Sequence, residues 1–294
     1  MAMALTLRDQ SIQIVHAKTS GSKIKKIHRV VTEPFDLIDP QSKCVKDLDE
    51  FEERLQFLLR GYQIKEKEVS IVIDNAMVLT HTMTIPKVDK KKQKMIVQNE
   101  MMSYFNIGLD HICDYQVIRT SHDKNNKTEF IVASAISKEA VDQISTVCHR
   151  LKLKIKTITT ALATSLHFIE SMDLITSGSP QLFVDYQEDY TRIFLTEKGE
   201  LKSLRTLRYR GKSEHDKVYM IIKSLEHMNQ YLKEKGLGPV TVVRLVGSPK
   251  KIEVVKRILE SEYQIRCETV LLNEVLGVTD LRINSCFSTI GVML

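Results

Sequence analysis

The side chains in this 294-residue sequence that are equipped for chemistry are mostly not spaced to perform it. Nine histidines include no HExxH run and no pair at ligand spacing, so a zinc site has no starting point. Ser165 and Ser285 lack the glycine-flanked elbow that lifts a nucleophilic serine above a sheet. No GxxxxGK[ST] loop occurs. The eleven glycines are roughly half the ~7% average and leave few points where backbone can close on a phosphate. The five cysteines, at positions 44, 113, 148, 267 and 286, are odd in number and form no CxxC clip, the pattern of reduced thiols.

What remains is binding chemistry. Lys87, Lys90, Lys91, Lys92 and Lys94 open a helix and offer either a lipid- or partner-facing patch or a solvated helix start. Arg205, Arg208, Arg210 and Lys212 form a second basic run with the same alternatives. Neither run is interleaved with aromatics and the chain has no Trp, which argues against nucleic acid as a partner. The formal net charge of +6 suits a protein working near anionic lipid, and falls short of a dedicated nucleic-acid binder. Met101, Met102, Tyr104, Phe105 and Ile107 are a third candidate. One helix face cannot bury all five, so they either line a groove for a peptide or form a local core and its rim. Asp185 closes an apolar strand, and Gly247-Ser248-Pro249 has the form of a helix start with Ser at the cap and Pro in the first turn.

The elements that must position these residues follow from periodicity. Met3–Leu7 and Ser11–His16 flank a turn at Arg8-Asp9-Gln10, and Ile24–Val31 follows a Thr-Ser-Gly-Ser turn, giving three short strands. Asp39-Pro40 breaks the chain, after which Leu48, Phe51, Leu55 and Leu58 recur at helical spacing. Val69–Asp74 is an apolar run of the kind buried on both faces. From about 77 to 156 a separate strand–helix–strand–strand–helix–strand unit is expected. It comprises Val78–Ile85, a helix with Val97, Met101 and Tyr104 on one stripe, and strands Asp114–Arg119 and Glu129–Ile136 around the polar loop His122–Thr128. A helix with Val141, Ile144, Cys148 and Leu151 and an alternating strand through Leu153 and Ile155 complete it. The sequon Asn126-Lys127-Thr128 falls in that loop and is taken as a polar loop only. After the Ser177–Pro180 break the opening pattern recurs as Gln181–Tyr186, Tyr190–Thr196 and Leu201–Arg208, with a turn at Gln187-Glu188-Asp189. Ser213 and Asp216 make a capping box for a long helix, Thr241–Val246 is a strand, and a strand near Gln264–Val270 precedes a helix-like tail. The repeat predicts a first lobe over 1–177, with an inserted α/β subdomain at about 84–156, and a second lobe over 178–294. No signal-peptide run precedes Arg8 and no stretch approaches ~20 apolar residues, so a soluble protein is expected.

A duplicated three-strand meander followed by α/β units, with a Gly-Ser turn entering a late helix, resembles the actin/hexokinase-like ATPase superfamily. Met83–Phe105 (MTIPKVDKKKQKMIVQNEMMSYF), Phe130–Ala135 (FIVASA) with Ser137–Lys138 opening a helix, and Ser288–Leu294 (STIGVML) are similar to segments of the type IV pilus assembly protein PilM family. The similarity runs from Leu5 to Leu294, and the same architecture occurs in the division protein FtsA and the cytoplasmic part of the secretion protein GspL. The resemblance implies an α/β, two-lobed actin-like (ribonuclease H-like, duplicated) fold with a small inserted α/β subdomain in the first lobe. It implies a cytoplasmic scaffold of a type IV pilus or type II secretion-like platform, peripheral to the inner face of the cell membrane through its partners. It also implies capture of the tail of a PilN-like bitopic membrane protein between the inserted unit and the first lobe, contact with other platform or motor components, and ATP in the interlobe cleft.

The superfamily's nucleotide residues are only partly kept. In actin-like ATPases the first meander carries an Asp-x-Gly turn, whose carboxylate acts on the Mg²⁺ water shell and whose amides cradle phosphate. Thr6 and Arg8 stand at those positions here. The second meander keeps Asp185 but has Gln187 for glycine, and Val246-Gly247-Ser248 keeps one glycine of the adenosine segment. A side chain where a turn needs positive φ costs roughly 1–2 kcal/mol or blocks approach. The expectation is therefore a degenerate site with no catalytic residue, no metal ligand and no resident cofactor. ATP with Mg²⁺ is the one cofactor such a fold would hold, on Asp185, Gly247 and Ser248. The alternatives are an active actin-like ATPase whose nucleotide state gates partner binding, and a carbohydrate- or acid-kinase relative. The latter needs a catalytic base that Asp185 alone does not supply.

Overall fold

In the computed structural model the apolar alternation of the opening residues folds into three antiparallel strands, β1 (Ala2–Arg8), β2 (Ser11–Ser20) and β3 (Lys23–Pro34). The structure describes all residues except 22, 40, 123–126, 173, 175–177, 189, 210 and 211, together with the side chain of residue 122. Ser22, Pro40, most of the His122–Thr128 loop with Asn126, Ser177, Asp189 and Arg210 of the expected turns and basic run lie outside the described residues.

The chain forms two compact units, one of Met1–Phe168 with Ser288–Leu294 and one of Ile169–Phe287. The first unit is built on a five-stranded sheet of order β3-β2-β1-β4-β8. Here β4 (Glu68–Asp74) pairs parallel with β1, and β8 (Lys154–Thr160) pairs parallel with β4. Helix α1 (Leu48–Gly61) starts where the Asp47 carboxylate accepts the Asp49 and Glu50 amides, and it buries Phe51, Leu55 and Leu58 on the sheet. A second, three-stranded antiparallel sheet of order β5-β7-β6 consists of β5 (Leu79–Pro86), β6 (His111–His122) and β7 (Lys127–Ser137). One face is covered by α2 (Lys90–Phe105) through Met83, Ile85, Val97, Met101, Ile131 and Ala133.

This arrangement differs from the strand–helix–strand–strand–helix–strand insert expected over about 84–156. Helix α3 (Lys138–Arg150) buries Ala140, Ile144, Val147 and Cys148 in the same core as Phe51, Leu55 and Leu58, and β8 joins the large sheet. The insert is therefore three strands and one helix. The alternation through Leu153 and Ile155 misleads because α3 ends at Arg150 with Leu151 as its cap and Lys152 turns the chain at φ 56°, so the strand begins only at Lys154. The division into units also departs from the 177/178 boundary. Helix α4 (Ala161–Ser171) crosses the break at Phe168/Ile169. The Ser288–Leu294 segment returns to the first unit because the backbone of Gly291 lies directly on α4, where a Cβ would stand 2.1 Å from the Thr164 carbonyl oxygen.

The second unit repeats the plan. Its sheet has the order β11-β10-β9-β12-β13. Strands β9 (Gln181–Tyr186), β10 (Tyr190–Glu197) and β11 (Glu200–Arg208) form an antiparallel meander, and β12 (Val242–Gly247) and β13 (Cys267–Thr269) add in parallel. Every residue of β9 and β10 is buried. The Ser213–Asp216 capping box opens α5 (Glu214–Glu234), whose Val218, Ile221, Ile222, Leu225 and Met228 pack with Ile252 and Val255 of α6 (Pro249–Tyr263). The expected strand over Gln264–Val270 shortens to β13 because Gln264 is the left-handed cap of α6. A short helix α7 (Leu272–Val275), a 3₁₀ turn (Leu281–Ser285) and α8 (Phe287–Gly291) follow. The fold is α/β and duplicated, as the repeat in the sequence predicts.

Candidate partner groove and the two meander turns

Strand periodicity of two divides the insert's sheet into two chemically different faces. In register, Cys113, Tyr115, Ala133 and Ala135 face α2, whereas Ile112, Gln116, Val132, Ser134 and Ile136 face the other way. That second face is only partly open to solvent, with Val132 buried and Ile112 and Asp114 exposed at the edge strand. It forms one wall of a cavity of about 360 Å³ in the first unit. The opposite wall is Ile73 at the end of β4, Val78, Val141 of α3, Ile158 of β8, and Leu162 and Leu166 of α4. Asp114, Gln116, Ser134, Thr159 and Thr160 supply polar atoms among the apolar lining. The volume lies in the range of sites that hold a few side chains or a small ligand. The strand β6 is an edge of its sheet, with Ile112 44% exposed on it.

The five apolar residues expected to bind a partner sit elsewhere. Met101 is wholly buried in the insert's core, and Phe105 and Ile107 pack at its margin. Met102 is half-buried. Tyr104, expected on the buried stripe with Val97 and Met101, is 62% exposed, and its ring stacks on His81 at 3.9 Å with Phe105 set edge-on. The stripe takes Gln93 in its place. Gln93 is held by the Glu129 carboxylate and by the Tyr115 hydroxyl, which donates to Gln93 Oε1 at 3.0 Å. None of the five reaches the cavity, because α2 covers the other face of the sheet. The groove residues were missed for a definite reason: FIVASA is apolar on both faces of its strand, and that pattern signals a layer on each side.

The residues expected to hold nucleotide lie at the ends of the second unit's central strands. Asp185 and Gly247 belong to the parallel pair β9 and β12, whose register sets Asp185 beside Val246 and Tyr186 beside Gly247. Strand ends of this kind at a switch in strand order are where open α/β sheets bind ligands. Gly247 has φ 149°, and a Cβ there would lie 2.3 Å from the Tyr186 carbonyl oxygen, so no other residue fits. Ser248 caps α6 by position only, with no side-chain hydrogen bond to the helix. The Asp185 carboxylate is fully buried, receives Arg192 Nη1 at 3.2 Å and accepts from Gln187 Nε2 at 2.6 Å. Beneath it the Tyr186 hydroxyl donates to Glu214, which also receives Lys217 Nζ at 2.9 Å. Burial and that acceptor push the Tyr186 phenol far up. Burial drives the Glu214 carboxyl up, yet the bonds from Tyr186 and Lys217 outweigh it and leave the group below its ordinary value.

The equivalent turn of the first unit is built from different groups. Thr6 Oγ1 and Thr289 Oγ1 share a hydrogen bond of 2.7 Å, and Thr289 donates to Gln13 Oε1 at 2.5 Å. Arg8, at the position of the expected glycine, is buried with its Nε 3.7 Å from Asp74, and Ser288 donates to the same carboxylate at 3.5 Å. Among the described residues, no group of three His, Cys, Asp or Glu side chains is placed to hold a metal ion.

The duplicated sheet with a three-strand meander opening each half defines a protein of the actin-like ATPase fold. A structure of the PilM–PilN type IV pilus biogenesis complex matches with TM-score 0.78 at 15% identity, covering 99% of this chain and 97% of that one. A Bacteroides thetaiotaomicron protein of actin-like ATPase fold and unknown function matches with TM-score 0.57 at 11% identity, over 97% and 95% of the two chains. The chain belongs to the type IV pilus assembly protein PilM family, whose model matches residues 5–178. No curated protein sequence matches it.

Proposed function

We propose that the chain is a binding component of a type IV pilus platform, and that it captures the tail of a PilN-like bitopic membrane protein in the groove between the insert's sheet and the body of the first unit. The observation that carries this reading is the apolar cavity walled by Ile112, Val132 and Ile136 on one side and Ile158, Leu162 and Leu166 on the other. Family membership and the likeness to a PilM–PilN complex support it. Among the described residues no helix is long and apolar enough to cross a membrane, so attachment through a bitopic partner fits the chain. The test is calorimetric titration of a synthetic PilN-type tail. Ile112→Arg, on an exposed edge strand, weakens binding at least tenfold with an unchanged Tm, while Tyr104→Ala leaves it unchanged. Loss with Tyr104→Ala and none with Ile112→Arg would place the tail on α2 instead.

The nucleotide turns read as degenerate. The Asp185 carboxylate that would face a Mg²⁺ water shell is neutralised by Arg192 and covered by Gln187, and Arg8 fills the first turn where phosphate would approach. These residues do not fit ATP with Mg²⁺. One observation favours the second reading, an ATPase whose nucleotide state gates capture: Asp185 and Gly247 still stand on neighbouring strand ends. Sub-millimolar binding of Mg-ATP in the same calorimeter would establish that alternative, and its absence supports the degenerate site.

A further inference from the structure

A dense cluster of basic side chains lies at the end of the insert remote from the groove. Lys87, Lys90, Lys91, Lys92 and Lys94 face Asp89 alone within one short run, most of the chain's net charge of +6. All five are exposed. Chain segments distant in sequence meet them there. The Lys87 amide donates to the Lys127 carbonyl oxygen at 2.9 Å, and Arg119 lies over the Phe130 ring at 5.1 Å. The nearby acids are already engaged: Asp89 caps α2 and pairs with Lys92 at 3.6 Å, while Glu129 is buried against Gln93 with Lys87 at 3.8 Å. Among the described residues Lys90, Lys91, Lys94 and Lys127 make no ion pair. Three lysines fill the first turn of α2, the end where a helix disfavours positive charge, and the capping Asp89 is the one acid set against them there. A local rule broken at this expense marks a surface shaped by something outside the fold.

We propose that this basic tip of the insert rests on an anionic lipid surface. The inference deepens the reading of the chain as an adaptor to a membrane protein. Lysine, a mobile point charge, suits a fluid array of headgroups, whereas a defined carboxylate or phosphate site calls for the fixed fork of arginine. The one arginine here is laid over a ring. Met95, 56% exposed, stands among the lysines as an apolar contact for the acyl boundary. Clusters of four to eight cations of this kind bind anionic leaflets. The tip and the groove are opposite ends of the same two strands, β6 and β7, about 20 Å apart at ~3.3 Å per residue. A membrane-anchored tail seated in the groove thus keeps the tip within reach of the bilayer.

The test is flotation of the full chain with phosphatidylglycerol–phosphatidylcholine vesicles. The chain binds these vesicles, binds pure phosphatidylcholine vesicles poorly, and is released by 0.5 M salt, roughly the ionic strength at which exposed charges are screened within a few ångströms. Lys90→Glu/Lys91→Glu/Lys94→Glu lowers partitioning at least tenfold, with unchanged circular dichroism and unchanged affinity for the PilN-type tail. Equal binding to both vesicle types, no vesicle binding at all, or full binding by the triple variant overturns the proposal. Capture by polyglutamate or RNA without vesicle binding also overturns it. A chain that floats but ignores the tail peptide refutes the groove and leaves the lipid surface standing.

Discussion

The two meanders solve the same backbone problem with opposite chemistry. Register places Thr6 opposite Gln13 in the first unit and Asp185 opposite Arg192 in the second, each pair at the same point of its hairpin. In the first unit the slot itself is closed by hydroxyl and amide groups, Thr6 to Thr289 to Gln13, with Gln13 Nε2 donating onward to Thr32 at 3.1 Å and the Arg8 guanidinium reaching Gln13 Oε1 from the side at 3.4 Å. In the second it is closed by a buried ion pair whose guanidinium also lies over the Tyr190 ring at 4.2 Å. A shared fold therefore fixes where a polar group must be satisfied and leaves open how. It also makes the two slots differ in fragility. A neutral chain loses one hydrogen bond when cut, whereas half of a buried ion pair leaves a bare charge.

The largest expected effect lies at the strand end beside that pair. Gly247→Ala forces a Cβ onto the Tyr186 carbonyl at a φ that side chains rarely adopt, and is expected to cost about 4 kcal/mol in chemical denaturation. The register partner of Leu7 at the corresponding place in the first unit is Ile73, which already carries a side chain. A silent Gly247→Ala would mean that the two strand ends are not distinguished as described. Next comes the slot itself. Asp185→Asn strands Arg192 and is expected to cost about 3–4 kcal/mol, whereas Thr6→Val removes one neutral link and costs about 1 kcal/mol. Asp185→Thr combined with Arg192→Gln copies the first unit's pair and recovers most of the loss. Equal costs for the two single variants would break the comparison.

The smallest effect separates the units by pH. In the first unit, burial and the neighbouring His28 hold the His16 imidazole below 6.5. Its contribution to stability is complete above that value and is lost as pH falls through the folded pKa. The corresponding position of the second unit is Leu195, so His16→Leu should flatten a slight decline in Tm between about pH 7 and 5.5. In the second unit Glu214, held below 4.5, contributes above that pH and loses its contribution as pH falls further. Glu214→Gln should remove that lower window alone. A single shared acid transition, unmoved by either variant, would show that these groups do not set the two responses.

Local signals carried most of the fold. The Ser213–Asp216 box, the Asp-bounded strand QLFVDY and the Leu48–Leu58 stripe each depend on residues within a turn or two, and each stands where periodicity puts it. Non-local choices were not legible. Whether α3 and β8 join the insert or the main sheet depends on what packs on Ile144 and Cys148, and nothing within that segment specifies Phe51 and Leu55 as the partners. The cavity is illegible for the same reason: two apolar faces on β7 reveal two layers, but not which of them borders a cavity. Asp185 was legible as a strand-end carboxylate, while its neutralisation by Arg192 required the hairpin register.

The first unit is interrupted in sequence. Thr289 completes the polar chain that begins at Thr6, a closure across a separation of 283 positions. The second unit, by contrast, occupies one uninterrupted stretch. On the ribosome, the later-synthesised half can therefore fold from contiguous chain, while the half made first must wait with its Thr6–Gln13 slot open until Ser288–Leu294 emerges. Because loop-closure cost grows only slowly with length, this delay is kinetic more than thermodynamic. The exposed, unfinished interval of biogenesis thus belongs to the half that carries the proposed groove and lipid-facing tip.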